Sequence, residues 1–178
     1  MMRKIISPNS DNPSEREETD RNIAHRIQNA IDLIGQLPEY YQESRELGEL
    51  LQKQRIRFNP DLPDRGQASL TGIITLGQET MEDSLLSLAE TLIHENYHRH
   101  QNHLLKTASF WGGVFSRQHP MQRYERPAYE ASLRFLRHVS EKWPELADIS
   151  RQEAANITNS FRHHYGSDLL KNSLSDYS

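Results

Sequence analysis

The 178-residue chain contains no cysteine, which excludes disulfides and thiolate metal sites and leaves any bound metal to histidine and carboxylate ligands. It also lacks any apolar run approaching the ~20 residues of a membrane span. Residues 1–6 carry two positive charges without the apolar stretch of a signal peptide, so a cytoplasmic location is the default expectation. Export by a route that reads no cleavable signal would leave the same trace. An excess of positive charge is missing too: 21 basic and 25 acidic residues are mixed along the chain, for a net charge of −4. No basic stripe is available to neutralise phosphates, which argues against nucleic acid as a partner. Internal repeats are absent.

What is present is a helical rhythm interrupted by short extended stretches. At this length one domain is expected, able to bury about two thirds of its unfolded surface. Residues 1–17 read as a polar, disordered lead-in, 18–166 as a single domain and 167–178 as a mobile tail. Ile23, Ile27, Ile31 and Ile34 recur at helical spacing over 18–37, and Pro38 opens a second helix to about residue 54, with Tyr41, Leu47, Leu50 and Leu51 apolar. Residues 55–58 alternate polar and apolar, residues 59–66 are turn-rich, and 70–76 form a β-branched run closed by Gly77. Helix resumes over 81–105, led by Leu85, Leu86, Leu88, Ala89, Leu92 and Ile93. Residues 106–126 read as a long excursion, Pro127 as the opening of a helix to Trp143, and Pro144 as the start of a last one marked by Leu146, Ile149, Ile157 and Phe161. The fold class expected is α+β, predominantly helical, with a small β-sheet next to a central helix.

The chemistry sits on that central helix. His94-Glu95-Asn96-Tyr97-His98 is an H-E-x-x-H motif, and residues four apart on a helix are neighbours one turn up, so both imidazoles can grip one ion. Glu95 is rotated away from that pair and can reach a metal-activated water, as a general base must. One Zn2+ ion suits the set, because catalytic zinc takes three protein ligands and leaves a position open. His100 and His103 fall on other faces of the helix and read as solvated.

The stretch 72–101 (GIITLGQETMEDSLLSLAETLIHENYHRHQ) resembles the zincin metallopeptidases, in which an edge strand precedes a helix bearing this motif. The metzincin pattern would need Gly at 101 and His at 104; Gln101 and Leu104 exclude that subclass. The resemblance therefore implies a gluzincin-like site with a glutamate from a later helix as third ligand. Two residues qualify, Glu130 and Glu125. Glu130 is preferred, because it follows Pro127 in what reads as a first helical turn and precedes Ala131, as in the Glu-Ala pairs of small gluzincins. Glu125, the alternative, is explained by helix capping. Arg134 stands where a thermolysin-like chain would carry an aspartate, which leaves the orientation of the histidines unassigned.

The function expected is a zinc-dependent metallopeptidase that hydrolyses peptide bonds in a peptide or protein substrate. The strand over 70–76, if at a sheet edge, would hold that substrate extended. His119, Arg123, Tyr124 and Tyr129 are candidates for stabilising the developing oxyanion, although residues of each kind more often serve in packing or at the surface. Two other functions stay open. One is a zinc amidase acting on a cell-wall or other non-protein amide, which a delivered toxin or effector would use; the other is an inactive helical interaction domain.

Overall fold

A computed structural model describes residues 13–101 and 122–166. The chain divides into two compact units, Met1–Arg99 and His100–Ser178. Of the expectations above, the leading residues 1–12, His103, the excursion up to residue 121 with His119, and the tail from 167 lie outside the described residues, as does the side chain of Arg123.

The first unit opens with α1 (Pro13–Gly35), which starts five residues before the expected boundary. Ile27, Ile31 and Ile34 are buried, and α1 packs on α2 (Tyr41–Gln52), whose Leu47 and Leu50 are buried as well. A 3-10 turn, Pro38–Tyr40, stands between them and shifts the helical phase. It buries Tyr40 and leaves Tyr41, an expected core residue, 67% exposed.

Three short strands follow: β1 (Ile56–Phe58), β2 (Gly66–Ala68) and β3 (Ile74–Leu76), in the order β1-β3-β2. β3 runs parallel to β1, pairing Ile56 with Ile74, and antiparallel to β2, pairing Gly66 with Leu76. Two expectations are corrected here. The extended stretch at 70–76 shrinks to three residues because Ser69 to Gly72 form a turn, closed by Gly72 N–H donating to the Ser69 carbonyl at 2.9 Å. That strand is also the central one, not an edge; the edge beside it is β2, which begins at the end of the turn-rich stretch and was not expected as a strand. β2 contains glycine and no β-branched or aromatic residue, so its strand character comes from its partner.

The central helix is likewise split. After α3 (Gln78–Glu82), Asp83 and Ser84 break the run before α4 (Leu85–His100). Ser84 Oγ accepts the Ser87 N–H at 3.0 Å, a side-chain cap that starts α4 where hydropathy alone predicts continuity. Asp83 Oδ2 accepts from Ser87 Oγ at 2.7 Å and pairs with Arg65 at 3.3 Å. Burial pushes the Asp83 pKa up, but the bonds from Ser87 and Ser84 and the charges of Arg65 and Arg26 outweigh it, leaving the carboxyl below its ordinary value. A depressed carboxylate contributes stability that is present above the unfolded pKa and lost as pH falls through the folded one. Acid melting followed below about pH 4 is therefore expected to show a destabilisation that Asp83→Asn reduces.

In the second unit, α5 (Gln122–Lys142) and α6 (Ala147–Tyr165) pack together across the 3-10 turn Pro144–Leu146. Ala128, Phe135, Leu136, Val139, Ile157 and Phe161 form the buried set. Pro127 does not open α5 as expected. It lies inside the helix, where it removes a single i→i−4 hydrogen bond. Ile149 is 47% exposed, so it marks α6 without joining the core. Among the described residues no helix is long and apolar enough to cross a membrane.

Candidate metal centre and its surroundings

The apolar run of α4 buries Leu86, Leu88, Ala89, Leu92 and Ile93, and this sets the rotation of the helix and so the aim of its polar residues. His98 is 7% exposed and His94 half-buried. Their Nε2 atoms lie 3.1 Å apart, with ring centroids 4.7 Å apart and planes crossing at 74°. Two nitrogens each about 2.05 Å from one zinc at a tetrahedral angle are about 3.3 Å apart, so the pair is spaced as a two-imidazole chelate requires. The same distance would also serve a single N–H···N bond between the rings, and a metal assay separates the two.

Glu95 is 6% exposed and borders β2. A methyl group added at Gly66 would lie 3.0 Å from Glu95 Cγ, 3.1 Å from its Oε1 and 2.9 Å from Thr91 Cγ2. Only glycine lets the strand approach that carboxylate so closely. Gly66→Ala is expected to cost about 1–3 kcal/mol in chemical unfolding, as overpacking does. Gly48, in α2 with nothing near its would-be Cβ, supplies the control: its alanine variant should stabilise by about 0.5–1 kcal/mol.

Arg65, just before Gly66, anchors the strand. Its guanidinium reaches Asp83 and, at 3.9 Å, the buried Glu90; its carbonyl accepts from Gly77 N–H at 2.9 Å and Thr80 Oγ1 at 2.7 Å. With Ser69 N–H donating to the Ile73 carbonyl at 2.8 Å, the inward-facing positions of β2 are 65, 67 and 69. The peptide groups of Gly66 and Ala68 accordingly point away from β3, toward the outer edge.

One turn beyond Glu95 on α4, Arg99 lies beside Arg55 at the hairpin turn. A methyl group at Gly72 (φ 73°) would be 3.4 Å from Arg55 Nη2 and 3.6 Å from Arg99 Nε. Arg55 donates to the Thr71 carbonyl and Arg99 Nη1 to Asn96 Oδ1. Burial lowers the Arg99 pKa, Glu46 opposes that, and the like charge of Arg55 adds to it; the net direction is down.

In the second unit, α5 carries both carboxylates considered as third ligand. Glu125 falls in its first turn and Glu130 five residues on, about 140° around the helix, so the two cannot aim at one point. Gln101 Nε2 donates to the Tyr124 carbonyl at 2.8 Å. Tyr124 is buried, and the Tyr129 ring packs on Phe161 at 5.0 Å and on Tyr165 at 6.5 Å, a setting that accounts for Tyr129 as a packing residue. His100 is exposed.

Sequence reasoning found the histidine pair and Glu95 but missed Arg65, Gly66 and the Arg55-Arg99 pair. The one available signal was the i,i+4 spacing of Thr91, Glu95 and Arg99, which puts them on a single stripe. Comparison with known proteins finds no matching family model, no matching curated protein and no matching solved structure.

Proposed function

We propose that the chain is a zinc-dependent metallopeptidase of gluzincin-like type, with His94, His98 and Glu125 as ligands and Glu95 as general base. The observation that carries this is the 3.1 Å spacing of two imidazole nitrogens on one turn of a buried helix, with a carboxylate beside them. Glu125 is taken over Glu130 because Pro127 lies inside α5 and does not open it, which removes the reason for placing Glu130 in a first turn. A histidine and carboxylate set without thiolate is one that catalytic zinc commonly uses.

Zinc held by His94, His98 and Glu125 would supply Lewis acidity for the attack of water on a carbonyl. Glu95 then accepts the proton of the attacking water and delivers it to the leaving amine. The edge of β2, with the Gly66 and Ala68 peptide groups turned outward, suits an extended main chain and replaces the strand first considered for this role.

The ligand assignment is tested by zinc titration of two variants. Glu125→Gln is expected to weaken zinc binding by about 100-fold or more, and Glu130→Gln to leave it within about twofold. The reverse ranking would move the third ligand to Glu130, and a wild-type chain that takes up no zinc would overturn the metallopeptidase reading.

A further inference from the structure

We infer that Arg55 and Arg99 form a carboxylate-recognition subsite at the β2-β3 turn, so that this site selects substrates with an acidic group close to the cleaved bond; the inference rests on the hydrolase reading above. Thr91, Glu95 and Arg99 share one stripe of α4 that follows the hairpin: the first two meet Gly66, and the third meets Gly72. Arg99 is thus one helical turn past the general base, about 6 Å along the axis, a distance that about two residues of extended chain would span.

The two guanidinium groups share the small space that Gly72 leaves open by lacking a side chain, and its positive φ disfavours any other residue there. Both groups are half-buried, and each is held by one bond to its surroundings, Arg55 to the Thr71 carbonyl and Arg99 to Asn96. Arg99 Nε is shielded from solvent and has no hydrogen-bond partner among the described residues. Glu46 acts on Arg99 with opposite charge and Arg55 with like charge. Paired planar donors with one nitrogen unbonded suit the two oxygens of a carboxylate. An aspartate or glutamate side chain and a free C-terminus carry the same group.

Hydroxamate peptides that chelate the metal test this on the zinc-loaded full-length chain, with affinity as the readout. Three ligands are compared: one with a glutamate side chain and an amidated C-terminus, one with glutamine and an amidated C-terminus, and one with glutamine and a free C-terminus. At least one charged ligand is expected to bind about tenfold or more tightly than the neutral one. Preference for the glutamate form assigns a side-chain carboxylate, and preference for the free C-terminus assigns a terminal one. Arg99→Gln and, independently, Arg55→Gln are expected to abolish the preference. Arg55 is far from His98 in sequence and stands in should the Arg99 variant lose zinc or fail to fold. Equal affinity for all three ligands overturns the subsite while leaving the zinc reading intact. Failure of every hydroxamate to bind the zinc-loaded chain overturns the hydrolase reading and the subsite with it.

Discussion

Replacing His98 with alanine is expected to reduce bound zinc from about one ion per chain to background. The expectation follows from chelation: a lone imidazole on a helix holds zinc weakly, and the second, one turn away at 3.1 Å, converts a loose contact into a site. If zinc binds the folded chain as proposed, its loss also appears as stability. With free zinc at ~1,000 times its Kd, binding contributes about 4 kcal/mol, a melting shift of roughly 10 °C for a chain of this size. Zinc should therefore raise the melting temperature of wild type and leave that of the variant where it was. His98 is buried, so alanine also creates a cavity there. His94→Ala, at a half-buried position, separates the two effects, since it removes a ligand with less loss of packing. A wild-type chain indifferent to zinc would favour the helical interaction domain over both hydrolases.

Glu95→Gln is expected to do the opposite, keeping zinc and abolishing turnover. Glutamine preserves the shape that fits against Gly66 and removes the proton acceptor, so kcat should fall by about 10²–10⁴-fold, the usual contribution of a positioned general base. Digestion of a denatured protein, followed by mass spectrometry alongside zinc analysis of both samples, measures this directly. Equal digestion by the two proteins would remove Glu95 from the mechanism. A zinc-loaded wild type inert toward denatured protein but active on cell-wall peptides would select the amidase.

Helix positions were legible wherever an apolar residue recurred every three or four places, as with Ile27, Ile31 and Ile34, because that spacing builds a face whatever lies opposite. Breaks were harder to read. The cap at Ser84 and the 3-10 turn at Pro38–Tyr40 are short-range events that hydropathy does not report, and the second displaced Tyr41 into solvent. Pro127 misled for a related reason. A proline inside a helix costs a hydrogen bond and a steric clash but does not end every helix, so Pro127 did not mark the start of α5 and could not rank Glu125 against Glu130.

The sequence by itself determined the His94-Glu95-His98 constellation, since a helical repeat of 3.6 residues places those side chains without help from the rest of the chain. Only the tertiary structure decided that β2, and not the strand around residue 74, lies against Glu95, and that Arg55 meets Arg99 at Gly72. A three-residue strand owes its existence to its partner, and two arginines 44 positions apart meet only once a sheet and a helix have packed, so neither has a local signature.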